Sequence, residues 1–156
     1  MSEPNPVPPG PTAVSGAGRT VPVADAERAV RRAGSWFFWV AALSVANSVA
    51  AATNMSFRML LGLGITQVLD VLFPAGQSVQ LTLLALVLGF FVLAGYFATR
   101  RFSLPWYLAG MIVYGADALL CMWIADWAAV AFHAFVLYML WGGFTVLRAL
   151  PAQRPA

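Results

Sequence analysis

The chain has 156 residues, of which 61% are hydrophobic and 10% charged. A soluble domain carries about 25% charged residues, so this composition fits lipid as the solvent, and the length allows one domain at most. A net charge of +3 is too small to argue for nucleic acid, and the single cysteine, Cys121, excludes an internal disulfide and thiol-pair redox chemistry.

Residues 1–24 are rich in Pro, Gly and Ser and lack apolar periodicity, which reads as a disordered cytoplasmic tail. Their acidic, Pro-rich start and the late onset of apolar sequence argue against a signal peptide. Asp25 is placed to N-cap a short helix, residues 26–33, that runs into the first span.

A membrane span needs about 20 predominantly apolar residues. Segments 34–53, 79–98, 104–124 and 127–147 meet this. Arg100 and Arg101 close the second, and Pro105 suits the first turn of the third. Asp126 marks a tight turn before the fourth, and residues 150–156 form a second cytoplasmic tail.

The apolar stretch 57–73 is shorter and contains Arg58, Thr66, Gln67 and Asp70. Basic residues favour the cytoplasmic side, and this decides its assignment. With four spans and a cytoplasmic N-terminus, Arg19, Arg28, Arg31, Arg32, Arg100, Arg101, Arg148 and Arg154 lie inside and only Arg58 outside. A fifth crossing would put Arg58, Arg100, Arg101, Arg148 and Arg154 outside. The expected architecture is therefore an all-α, four-helix transmembrane domain over residues 25–149, with both termini cytoplasmic. Residues 57–73 form an amphipathic, interfacial or re-entrant helix on the outer side. Its wheel puts Leu60, Leu61, Gly64, Val68, Val71 and Leu72 on one side and Gly62, Thr66, Gln67 and Asp70 on the other. Many Ala residues, and Arg used in place of Lys throughout, suggest a high-GC bacterial genome and hence an inner membrane. Trp36, Trp39, Trp106, Tyr107, Trp123, Trp127 and Trp141 fall near span ends and read as interfacial anchors.

Ionisable groups at membrane depth are the informative ones, since a charge at mid-bilayer costs about 2.5–3.5 kcal/mol on insertion scales. Asp117 in the third span and His133 in the fourth are the two candidates. Counting from the turn at about 1.5 Å per residue, both lie level, about 10–12 Å below the outer turn. Tyr114 and Cys121 share the Asp117 face, and Ser44, Asn47 and Ser48 bring polar groups of the first span to similar depth. With Gln67 and Asp70 above, Asp117, His133, Asn47, Ser44, Tyr114, Gln67 and Asp70 outline a polar pocket in the outer half. The blander alternative is a bundle held together by an Asp117–His133 pair with Asn47 as partner, since interhelical polar contacts contribute about 0.6 kcal/mol on average. Cys121 reads as a buried structural thiol.

The chain carries no established catalytic motif. One His and one Cys with scattered carboxylates give no metal-ligand spacing. Haem held by two histidines would need His133 from two subunits, and the segment Gly62-Leu63-Gly64 matches no phosphate-binding loop. No cofactor is expected. Ser44 or Ser48 with His133 and Asp117 could form a hydrolytic triad, but no Gly-x-Ser-Gly setting lies in a span. An Asp–His proton relay in an oligomeric transporter is the second alternative. The leading expectation is an accessory or ligand- and lipid-binding membrane protein. Its partners are the bilayer and either a second copy or another membrane protein.

The run from Gly34 through Trp36, Phe37, Phe38, Trp39, Ser44, Asn47 and Ser48, followed by Gly62-Leu-Gly-Ile-Thr-Gln-Val-Leu-Asp70, resembles a family of small, uncharacterised bacterial multi-pass membrane proteins. The resemblance covers about residues 34–73. It implies no activity, and directs interest to Ser44, Asn47, Thr66, Gln67 and Asp70.

Overall fold

The computed structural model describes residues 13–16, 19–53, 63–72 and 78–150. Two short strands, β1 (Ala13–Gly16) and β2 (Arg19–Pro22), pair antiparallel with Val14 opposite Val21. A hairpin thus stands within the segment expected to be a disordered tail. Six helices follow: α1 (Val23–Gly34), α2 (Trp36–Ala52), α3 (Gly64–Leu72), α4 (Ser78–Arg100), α5 (Leu104–Trp123) and α6 (Trp127–Ala149).

Among the described residues, four helical segments are long and apolar enough to cross a membrane, namely Val23–Ala50, Ser78–Arg100, Leu104–Trp123 and Trp127–Ala149. The protein is an all-α membrane protein of the expected four-span class. Large apolar side chains such as Trp39, Leu86, Ile112, Leu119 and Tyr138 face outward. In water such a surface would be an aggregation hazard, whereas in a bilayer it is the lipid-facing wall. The interior is built from Phe37, Phe91, Tyr107, Tyr114, Val136 and Leu140, with Phe37 edge-on to Tyr107 and Phe91 edge-on to Tyr114.

One end of the bundle carries Arg100 and Arg101 and will be called the basic end. The other carries the α5–α6 turn. At the basic end α1 packs on α6 and α4, burying Ala26, Val30, Ala33 and Gly34. Arg31 fixes it there: Nη1 donates to the Thr99 carbonyl at 2.9 Å, and the guanidinium lies 4.7 Å from the Phe102 ring centroid. Helix α1 begins at Val23 with Pro22 as its N-cap. Asp25 is therefore not the expected cap. It sits in the first turn, where its carboxylate pairs with Arg28.

The α5–α6 turn sets the register of the site. Ala125 takes a left-handed conformation, φ 57°. Asp126 N donates to Cys121 O at 3.0 Å and Ala125 N to Met122 O at 3.1 Å. These two bonds close α5 in a Schellman motif, with Ala at the position glycine usually holds. Asp126 then caps α6, its Oδ1 accepting from Ala129 N at 3.0 Å. With both helix ends tied to this turn, residues equally far from it stand level.

Tyr107 corrects an expectation. It is fully buried, and its hydroxyl donates to Leu140 O at 3.0 Å. It is an interhelical strut and not an interfacial anchor. Trp39, Trp123, Trp127 and Trp141 are exposed, as anchors require. Trp36 packs edge-on against Phe135, and Trp106 stacks on Phe97.

Candidate functional site

Asp117 and His133 face each other across α5 and α6, with Nε2 of His133 2.8 Å from Oδ2 of Asp117. His133 is wholly buried and Asp117 nearly so. The imidazole Nδ1 lies 2.7 Å from the Ala129 carbonyl oxygen. A carbonyl can only accept, so Nδ1 carries a hydrogen. One further proton then lies between Nε2 and Oδ2. On Nε2 it makes an imidazolium–carboxylate pair, and on Oδ2 a neutral pair. Either way the two residues together carry no net charge, which is what a low-dielectric interior tolerates. Tyr114 stacks flat on the imidazole, with centroids 4.4 Å apart and planes 17° apart, and fixes the ring plane.

The carboxylate of Asp117 has a second task. Its Oδ2 accepts from Gly64 N at 2.7 Å and its Oδ1 from Ile65 N at 2.8 Å. These are first-turn amides of α3, which have no partner within their own helix. Asp117 is thus the N-cap of a helix 52 and 53 positions away. A carboxylate there also meets the positive end of the helix dipole. Just before it, Leu63 N donates to Ser44 Oγ at 3.0 Å, while Ser44 donates to Val40 O at 2.8 Å.

These bonds set the N-terminus of α3 at the Asp117–His133 level, bonded to groups inside the spans. That is the re-entrant alternative. A non-helical backbone at membrane depth is tolerated where protein buries it and satisfies its amides, and Ser44 and Asp117 do so here. The expected wheel is corrected. Leu63, Gly64, Thr66 and Leu69 are buried, whereas Leu72 is 65% exposed. Thr66 turns inward because its hydroxyl donates to Leu63 O at 2.7 Å and needs no water.

Among the expected pocket residues, Asp117, His133, Ser44 and Tyr114 are brought together around the start of α3. Asn47 is buried on α2, one turn from Ser44, yet it is not among the partners of Asp117 or His133. Gln67 and Asp70 belong to α3, and their side chains lie outside the described residues, as does the stretch 54–62. The Ser44 hydroxyl is spent on Val40, so it does not give its hydrogen to His133 as a hydrolytic triad requires.

Cys121 was undervalued by its sequence context. Its thiol, a carboxylate oxygen of Asp117 and a ring nitrogen of His133 all lie within 4.8 Å of one another. The signal was present as the i, i+4 spacing of Asp117 and Cys121. A Cβ on Gly64 would come within 2.5 Å of the Cys121 sulfur, so only glycine lets α3 begin this close to α5. Among the described residues, two buried hydroxyls, Tyr114 Oη and Ser48 Oγ, have no hydrogen-bond partner. Such groups are uncommon and call for an explanation by a bound species or a function.

In comparisons with known proteins, no family model, no curated protein and no solved structure matches this chain.

Proposed function

We propose that this chain is a small accessory membrane protein with a ligand site in the half of the bundle that holds the α5–α6 turn, and that α3 is the cover of that site. One observation carries the reading. The same carboxylate, Asp117, holds the first amides of α3 and the imidazole of His133. Release of α3 uncovers a carboxylate, an imidazole, a thiol and the unpartnered Tyr114 hydroxyl together.

Under the same proposal the protein sits in a bacterial inner membrane with both termini cytoplasmic. Arg28, Arg31, Arg32, Arg100 and Arg148 lie in helix segments at the basic end and Arg101 directly follows α4, which supports a cytoplasmic basic end. The site then opens to the outer side.

Cys121 makes the test simple, because it is the only thiol in the chain. The wild-type protein in sealed inverted and right-side-out vesicles should react slowly with a small membrane-impermeant thiol reagent. Asp117→Ala should react faster, and only when the reagent is on the outer side. Equal, slow labelling of both proteins from either side would remove α3 as a cover.

A further inference from the structure

We propose that Asp117, Cys121 and His133 bind one divalent transition-metal ion of the zinc type. This rests on the reading of the cluster as a ligand site beneath α3, and names its ligand.

Three different donor atoms, O, S and N, converge within 4.8 Å on two adjacent helices, all from buried residues. A mixed thiolate, imidazole and carboxylate set suits a borderline-soft ion and is poor for magnesium or calcium. His133 is already oriented as metal-bound histidines are. Its Nδ1 is held by the Ala129 carbonyl, which leaves Nε2 as the ligand atom. Metal bonds of about 2.0–2.3 Å put tetrahedral ligand atoms roughly 3.3–3.6 Å apart. The 2.8 Å Nε2–Oδ2 contact needs to open by less than an ångström, and the ion takes the place of the proton between them.

Charge favours the exchange. Before binding, the Asp117–His133 pair and the Cys121 thiol carry zero net charge. One M2+ enters and two protons leave, one from the pair and one from the thiol. The products are a carboxylate, a neutral imidazole, a thiolate and M2+, again with zero net charge. The low-dielectric interior therefore gains no net charge on loading. Beside the cluster the Tyr114 ring stacks on the imidazole of His133, and its buried hydroxyl has no hydrogen-bond partner among the described residues. Glycine at 64 lets the start of α3 close directly over the sulfur.

The test uses the tag-free full chain in detergent, stripped with chelator and titrated with Co2+ alone. A thiolate-to-cobalt charge-transfer absorption and tetrahedral visible bands should appear and saturate at one ion per chain. Zn2+ should abolish them. Cys121→Ser should remove the charge-transfer band, and His133→Gln should weaken binding by more than the 10–100-fold typical of a lost supporting contact. Absence of the band in wild-type protein, or Co2+ binding that Cys121→Ser leaves unchanged, overturns the metal site. If Co2+ does not bind while Asp117→Ala still exposes Cys121 to thiol reagent, the metal falls and the cover reading stands.

Discussion

The carboxylate of Asp117 and the backbone amide of Gly64 meet at 2.7 Å, although 53 positions separate them in the chain. This bond ties a short re-entrant helix to the interior of a four-span bundle. It also predicts an order of stabilities. Asp117→Ala removes the partner of Gly64 N, Ile65 N and His133 at once. Each buried donor left without its partner costs about 1–3 kcal/mol, and three lose theirs together. Asn keeps the shape. Its oxygen still accepts from Ile65 and its amide donates to Nε2, but the Gly64 amide is left facing a donor. That should cost about 1–3 kcal/mol. Thermal unfolding in detergent should rank wild type above Asp117→Asn and Asp117→Ala last. An Asn variant as unstable as Ala would mean that shape contributes nothing.

Gly64 and Cys121 should behave as a reciprocal pair. In Gly64→Ala the new methyl group would sit 2.5 Å from Sγ, and 3.6 Å from both the backbone and the carboxylate oxygen of Asp117. Overpacking of this kind costs about 1–3 kcal/mol. Replacing the sulfur by hydrogen in Cys121→Ala vacates the clashing space. The double variant Gly64→Ala, Cys121→Ala should therefore recover most of the stability that Gly64→Ala loses. Additive losses would place α3 away from Cys121.

The spans were legible because apolar length leaves a direct trace in sequence, and the bilayer fixes how much is needed. The common level of Asp117 and His133 was legible too, since a tight turn turns residue counting into depth. Their rotation toward each other was not, because it depends on packing such as the Tyr107–Leu140 strut and on the Schellman turn at Ala125. The depth of α3 left even less trace. It is held by backbone amides of Leu63, Gly64 and Ile65, which every residue type but proline possesses. Thr66 misled the wheel because a hydroxyl that bonds its own helix can be buried as easily as an apolar group.

The coupling between Asp117 and His133 should exceed that of ordinary polar contacts in membranes. Those average about 0.6 kcal/mol and reach about 1.7 kcal/mol. Here the pair is buried, its Nε2–Oδ2 distance is 2.8 Å and each partner is fixed by further bonds. A double-mutant cycle with Asp117→Ala and His133→Ala, read by unfolding in detergent, should return about 2–3 kcal/mol. A coupling below about 0.6 kcal/mol would assign the stability to the α3 amides alone and leave His133 a spectator.

Gly143 tests the basic end independently of the site. It lies where α6 meets α1 and α5. A Cβ there would come within 2.3 Å of the Ala33 Cβ and 2.4 Å of the Tyr107 hydroxyl oxygen. Neither neighbour can yield easily. Ala33 has no rotamer to change, and Tyr107 is held through its bond to Leu140 O. Gly143→Ala should therefore push α1 off the bundle and cost at least the about 1–3 kcal/mol of a core overpacking, despite the better helix propensity of alanine. The displacement should appear as faster proteolysis within residues 23–34, the segment that Arg31 otherwise ties to Thr99. Tyr107→Phe in the same background removes one of the two clashing atoms but leaves Ala33 in place. It should restore stability only in part, and full restoration would show that the close approach of α1 to α6 is not what the glycine serves.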